Sequence, residues 1–202
     1  MLTDKKRKMY LFVISFCMNL TFFMTAHFAR LPVWLDTTGT VYISLLLSFP
    51  AGLLIGLLNN VILSAGFYGF NSIFYYIISV ATALVTSMRI KRIKAVNLKL
   101  VLSLIVSLFL VSIILAIPLT LVLDDGIPAD YWGQYLYNIL ITNDVADIIS
   151  TILSVSIIKF FDIIVTVAIV NIAYYLTPQR FRDSKTIVMI NYNRRQESAN
   201  QL

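Results

Sequence analysis

Charged residues are scarce in this sequence. Asp, Glu, Lys and Arg together make up 13% of its 202 residues, about half the share found in soluble domains. Hydrophobic residues make up 59%, and the apolar runs 9–29 and 98–122 are as long as the roughly 20 residues that cross a bilayer core. Spans of this kind leave no room for a soluble catalytic domain. The sequence therefore predicts an all-α integral membrane protein that crosses the bilayer several times.

Cysteine and histidine each occur only once, as Cys17 and His27. A single cysteine excludes an intrachain disulfide, and these two residues do not make a metal-ligand cluster. No P-loop, G-x-S-x-G or H-E-x-x-H pattern is present, and Asp144 with Asp147 forms only a lone D-x-x-D. We therefore predict that the chain is not an enzyme, with no catalytic residues, no metal site and no cofactor of its own.

Basic residues are concentrated in three clusters, at 5–8, at 89–99 and at 180–195. Cytoplasmic loops of membrane proteins carry an excess of Lys and Arg, so all three clusters are expected on the cytoplasmic side. The net charge of +6 is explained by this orientation signal, and we do not expect nucleic acid as a partner. The acidic stretch 124–130 is then expected outside.

The number of crossings before the middle basic cluster follows from this orientation. The chain leaves the cytoplasm through 9–29, so its return to 89–99 requires an odd number of further crossings. The apolar stretch 41–88 holds three if it breaks near Pro50 and Gly52, because Pro followed by Gly favours a helix end and a turn.

The prediction is therefore a six-span helical bundle with both termini cytoplasmic, in which residues 1–180 form one transmembrane domain. Residues 133–147 are expected to form an external or re-entrant element, and 181–202 a basic cytoplasmic tail. The predicted spans are about 9–29, 37–48, 51–66, 70–88, 98–122 and 150–176.

Polar and aromatic residues collect at the predicted external end of the bundle. Ionisable residues inside a bilayer usually face the bundle interior or a water-filled cavity, and ligand sites combine apolar walls with a few placed polar groups. This end is therefore the predicted binding site for a small molecule. The candidate substrate-binding residues are Trp34, Asp36, Thr37, Thr38, Asn59, Asn60, Asn71, Trp132, Asn143, Asp144 and Asp147.

Structural roles for the same residues remain open alternatives. Trp34 and Trp132 are also typical of the aromatic belt at a membrane interface. Asp36 and the threonines after it are suited to cap the second helix, and the paired asparagines to bond neighbouring helices. Lys159 and Asp162, three residues apart on the last span, can pair with each other or serve in coupling.

One stretch, LPVWLDTTGTVYISLLLSFPAGLLIGLLNNVI at 31–62, resembles the substrate-binding membrane subunits (S-components) of energy-coupling factor transporters. One branch of that family carries a similar Asp-Thr-x-Gly-Thr element at 36–40, a proline turn at Pro50 and a Gly-x-x-x-Gly-Leu-x-x-Asn span at 52–60. The final stretch IKFFDIIVTVAIVNIAYYLTP is similar to that branch's last span.

The resemblance implies a function in uptake across the plasma membrane of a prokaryote. Such a subunit binds a vitamin or similar micronutrient from outside, beneath the loop between its first two spans. It assembles with a membrane scaffold protein and two cytoplasmic ATPases, which bind the ATP. The resemblance also implies that Asp36 caps a short helix and orders the loop over the ligand.

Many family members carry an Ala-x-x-x-Ala pattern on the first span, where the scaffold packs, and this sequence lacks it. Ser15, Cys17, Thr21 and Thr25 are the nearest small residues, and they are the candidate scaffold contacts. Similar multi-span bundles also serve as input modules for signalling proteins. A stand-alone membrane sensor or interaction protein is therefore the alternative function.

Overall fold

The computed structural model describes residues 4–93 and 95–182, with the side chains of Asp4 and Arg180 left out. Residues 183–202, which make up most of the predicted tail, lie outside this description. All regular structure in the described residues is helical, which confirms the all-α class. The α-helices are α1 (Asp4–Phe28), α2 (Thr38–Leu46), α3 (Phe49–Leu63), α4 (Tyr76–Ile93), α5 (Leu98–Leu123), α6 (Tyr131–Thr142), α7 (Asp147–Leu176) and α8 (Gln179–Arg182).

Five helical segments within the described residues are long and apolar enough to cross a membrane. At most 39% of the residues in the most apolar window of each segment are buried in the bundle. Most of the surface of each segment therefore faces away from the other helices. Large apolar side chains dominate that surface, for example Ile114 (66% exposed), Val122 (77%) and Ile148 (61%). An apolar exterior of this kind fits a bilayer. The five segments are Lys5–Phe28, Phe49–Tyr68, Phe70–Ile93, Leu98–Leu123 and Asp147–Leu176.

Helix α2 is shorter than the predicted span 37–48. Its nine residues rise about 14 Å, which is less than half of a bilayer core of about 30 Å. All nine are buried, and α2 packs against α1, α3, α4 and α7. It is therefore a core helix enclosed by longer ones, and the chain reaches it through the non-helical connector 31–37.

The chain reverses direction between α2 and α3, at Leu47 and Ser48. Pro50 lies in the first turn of α3, where its missing N–H leaves no helical hydrogen bond unmade. The two helices then run antiparallel, since Gly52 approaches Ser44 near the turn and Asn59 reaches Asp36 at the other end. A side chain at Gly52 would overlap the Ser44 hydroxyl, so glycine permits this close pairing.

The link between α3 and α4 is also helical. α3 continues as a π-helical turn over Ser64–Tyr68, and a 3₁₀ helix over Phe70–Tyr75 leads into α4. Gly69 separates the two with a φ of +79°, a conformation that favours glycine. The Ser72 hydroxyl donates to Ser64 Oγ at 2.8 Å and closes this corner.

The described parts of the three basic clusters lie at one end of the bundle. The Tyr10 ring packs edge-on against Phe181, with centroids 6.5 Å apart. The Tyr175 hydroxyl donates to the Val96 carbonyl at 3.5 Å. The start of α1, the α4–α5 connector and α8 therefore meet, as the charge pattern predicts. The connectors 31–37 and 124–130 approach the bundle from the opposite end.

Helix α6 occupies much of the region 133–147, for which the sequence predicts an external or re-entrant element. It packs against α7, and Asp130 caps its start by accepting from the Gly133 N–H at 2.7 Å. Helix α7 begins at Asp147, three residues before the predicted boundary.

The contact between α1 and α2 is unusually close. Gly39 lies directly against the backbone of Ser15, so that a Cβ on Gly39 would overlap the Ser15 carbonyl. Ser15 is fully buried, and its hydroxyl donates to Leu11 O at 2.7 Å. Ser15 is therefore unavailable to a scaffold, and this candidate contact is wrong. Cys17, Thr21 and Thr25 are exposed.

We expect Gly39→Ala to destabilise the bundle by roughly 1–3 kcal/mol, the usual range for overpacking a well-packed core. The matched control is Gly66→Ala, because no atom lies within 4 Å of a Cβ built there. Thermal melting in mild detergent measures both variants. Equal melting temperatures for the two would contradict the close approach of α2 to α1.

Candidate functional site

The connector 31–37 passes into the interior of the bundle. The backbone N–H groups of Trp34 and Leu35 donate to Asp162 Oδ1 at 2.9 and 2.8 Å. Asp162 is almost fully buried near the middle of α7. The connector therefore reaches the depth of the α7 midpoint, and this carboxylate satisfies two backbone donors that have no helical partner.

A side chain from α1 satisfies the free N–H groups at the start of α2. Asn19 Oδ1 accepts from the N–H groups of Gly39 and Thr40, and its amide donates to Thr40 Oγ1 at 3.1 Å. The expectation that Asp36 caps α2 is wrong. The N-cap residue is Thr37, whose side chain makes no capping bond, and Asn19 supplies the acceptor from another helix.

Asp36 is held by its backbone, while part of its carboxylate stays unpaired. Its carbonyl accepts from the Asn59 amide at 3.0 Å. Its Oδ1 is buried and has no hydrogen-bond partner among the described residues. A buried acceptor without a partner is costly.

A cavity of about 110 Å³ lies beside this carboxylate. The connector, the outer ends of α3 and α5, the start of α4 and the first half of α7 enclose it. Trp34, Asp36 and Asn60 are the three sequence-predicted site residues on its wall. The other polar wall residues are Ser64, Tyr68, Ser72, Tyr75, Thr120, Asp124, Asp130 and Lys159, and apolar residues include Leu63, Ile78, Ala116, Val155 and Ile158.

Asp124 and Asp130 are wall residues that the sequence did not single out as ligands. Tyr75 Oη donates to Asp124 Oδ2 and lies 3.1 Å from Thr120 Oγ1. Burial raises the pKa of both carboxyls, because the charged form loses solvation. The available signal was their position in the acidic stretch 124–130, which the charge pattern assigns to the same end as Asp36.

Lys159 connects the cavity wall to the buried anchor. Its ammonium lies 3.6 Å from Asp162 Oδ2 and 5.5 Å from the centre of the Trp34 ring. Lys159 and Asp162 therefore pair, which is the first of the two roles that the sequence allows for them; the other is coupling. Asp162 uses its other oxygen for the connector, so one pair both neutralises charge and positions Trp34.

The paired asparagines both bond to neighbouring elements. Asn60 donates to Gly56 O and to Ser79 Oγ, both at 2.9 Å, which joins α3 to α4. Asn59 holds the Asp36 carbonyl, and its own Oδ1 is buried without a partner among the described residues.

The remaining sequence candidates lie outside this cavity. Thr37 and Thr38 are buried at the start of α2, where the Thr38 hydroxyl donates to Leu35 O. Trp132 is half-buried and donates to the Arg30 carbonyl. The other four are exposed: Asn71, Asn143, Asp144 and Asp147.

A second cavity of about 180 Å³ lies next to the first, between α1, the connector and the 124–130 stretch. His27 and Arg30 line its far side. Trp34, Tyr68, Ala129 and Asp130 border both cavities and separate them. In the part of the chain that the structure describes, neither cavity holds a cluster of three metal-ligating residues.

No protein-family model, curated protein or solved structure matches this chain.

We expect Asp36→Asn to raise the melting temperature at pH 7. A neutral amide costs less to bury than a carboxylate, and the Oδ1 of Asp36 has no partner among the described residues.

Melting curves at pH 7 test this expectation. Asp125→Asn is the matched control, because Asp125 is exposed and does not line the cavity. Equal melting temperatures at pH 7 for wild type and Asp36→Asn would contradict the cost assigned to the unpaired Asp36 oxygen.

Proposed function

We propose that the chain is the substrate-binding subunit of an energy-coupling factor importer. In this proposal it captures a vitamin or similar small micronutrient from outside and delivers it inward. A separate membrane scaffold protein and two cytoplasmic ATPases drive the transport, and these ATPases bind the ATP. The observation that carries the proposal is the cavity beside the connector between the first two helices, with a carboxylate in its wall whose Oδ1 has no partner among the described residues.

The proposed topology has six crossings and both termini in the cytoplasm of a prokaryotic cell. The convergence of the basic clusters at one end supports this orientation by the positive-inside rule. α2 and the connector before it together make the second crossing. This is compatible with a bilayer because non-helical backbone is tolerated where it is buried in protein or lines a cavity.

The composition of the cavity supports binding without chemistry. Its wall offers apolar surface, aromatic rings and a few polar groups, which is the usual make-up of a small-molecule site. The described wall residues include no histidine or cysteine, so a Ser–His or Cys–His pair is not assembled there.

The proposed scaffold contact is the exposed face of α1 that carries Cys17, Thr21 and Thr25. These residues follow one another at four-residue spacing and therefore lie on one side of the helix. Small side chains let another helix approach closely within a membrane, whereas most of the remaining membrane-facing surface carries large apolar groups.

Co-expression tests the proposal. The tagged chain is produced with a scaffold protein and the ATPase pair from the same genome, then purified in mild detergent. We expect a stoichiometric complex, and we expect Thr21→Trp to abolish it because the bulky ring separates the helices. Val106→Trp is the matched control, since Val106 is also exposed (58%) but lies on α5.

A well-folded wild-type chain that always purifies alone would contradict the transport proposal. The stand-alone sensor or interaction protein would then be the better account. Retention of the complex by Thr21→Trp would place the scaffold contact elsewhere, and loss by both Trp variants would show that the effect is not specific to α1.

A further inference from the structure

We propose that the cavity binds a small organic cation, whose charged N–H group is paired by Asp36. This inference rests on the proposed function, because it names the substrate class of that same binding site. Three independent features carry it: the balance of charge around the cavity, the unpaired oxygen of Asp36 and the aromatic surface beside it.

The first feature is an excess of negative charge. Asp36, Asp124 and Asp130 line the cavity, while Lys159 is its one cationic wall residue among those described. Lys159 is already paired with Asp162, which does not line the cavity. Buried charges are costly unless they are paired. A ligand cation would reduce this cost, whereas an anion would add to it.

The second feature is the position of the unpaired oxygen. The backbone N–H groups of Trp34 and Leu35, the two residues before Asp36, donate to Asp162. The Asp36 carbonyl accepts from the Asn59 amide. These bonds fix the backbone that carries the Asp36 side chain, which lies on the cavity wall. Its Oδ1 is buried without a partner among the described residues, so a ligand cation beside the carboxylate would offset a charge that no hydrogen bond to this oxygen stabilises.

The other two wall carboxylates are already partly satisfied. Asp124 accepts from the Tyr75 hydroxyl, and Asp130 accepts from the Gly133 N–H. Each carboxylate can accept a further hydrogen bond, but neither has a buried oxygen without a partner among the described residues, as Asp36 does. They set the negative potential of the cavity, and Asp36 makes the direct charge pair.

The third feature separates an organic cation from a metal ion. No group of three His, Cys, Asp or Glu residues in the described chain is close enough to hold a metal. Trp34, Tyr68 and Tyr75 instead supply aromatic rings, and ring faces attract organic cations. Leu63 and Ile78 add apolar surface that a hydrated ion would not use.

The size of the cavity is consistent with this class. A volume of about 110 Å³ is several times what one water molecule needs. It admits a compact ring or a short substituted amine in this conformation of the connector.

The experiment compares three planar probes of nearly equal size and different charge: benzamidinium, benzamide and benzoate. Binding is followed by the fluorescence of Trp34 in a Trp132→Phe background, which leaves Trp34 as the sole tryptophan, since the sequence has two. The protein is the full chain in lipid nanodiscs at about pH 7.5.

We expect benzamidinium to bind with a Kd at least about tenfold lower than that of benzamide, the effect of one partly desolvated charge pair. Benzoate is expected not to bind. Asp36→Asn should remove the preference for benzamidinium, whereas Asp125→Asn, an exposed carboxylate on the neighbouring connector, should keep it. Melting curves establish that both variants are folded. If Asp36→Asn does not fold, the three probes on the wild-type chain decide the question by themselves.

Equal affinity for the three probes, a preference for benzoate, or no binding of benzamidinium at millimolar concentration would each overturn the cation inference. None of these results depends on the scaffold, so they leave co-expression as a separate test. Failure of the complex together with selective binding of benzamidinium would remove transport and retain the cation site.

Discussion

Asn19 on α1 and Asp162 on α7 satisfy four backbone N–H groups in a stretch of chain that has too few helical hydrogen bonds of its own. Those groups belong to Trp34, Leu35, Gly39 and Thr40. Water is not available inside a bilayer core, so every backbone polar group there needs a partner within the protein. Each unpaired buried donor costs about 1–3 kcal/mol. The connector 31–37 and the nine-residue α2 are stable inside the bundle because the two side chains supply the partners.

The same contacts create the candidate site. Asp162 fixes the backbone at Trp34 and Leu35, which places the Trp34 ring and the Asp36 carboxylate on the cavity wall. Lys159 joins Asp162 to the Trp34 ring, so the charge pair and the aromatic wall move together. A ligand that contacts Asp36 is therefore coupled to the anchor of the connector. The Asp36 Oδ1 is left unpaired among the described residues, which is a cost in stability at the candidate site.

The sequence predicts the fold class because its strongest signals are local. Long apolar runs identify five of the helices, and Pro50 with Gly52 marks the reversal between α2 and α3. Trp34, Asp36 and Asn60, which line the cavity, could be predicted from the sequence. Their neighbouring residues already indicate a membrane-end connector or a polar interruption in a span.

The other features depend on pairings between distant parts of the chain. Asn19 and Gly39 are 20 residues apart, and Asp162 lies 127 residues from Leu35, so no local pattern connects them. Ser15 was predicted to face a scaffold because small residues suit a helix interface, yet the interface that uses it is with α2. The length of α2 depends on how far the connector enters the bundle. Helix periodicity in the sequence gives no information about that depth.

Hydrogen–deuterium exchange in nanodiscs tests most directly the claim that a non-helical connector is held inside the bundle. The comparison is between a peptide covering 32–40 and one covering 142–147, where Asn143 and Asp144 are exposed. The bonded amides of this segment, those of Trp34, Leu35, Gly39 and Thr40, are predicted to exchange as slowly as the long helices. Asp162→Ala is predicted to make the amides of Trp34 and Leu35 exchange faster. Exchange of 32–40 in the wild type as fast as that of 142–147 would contradict the account.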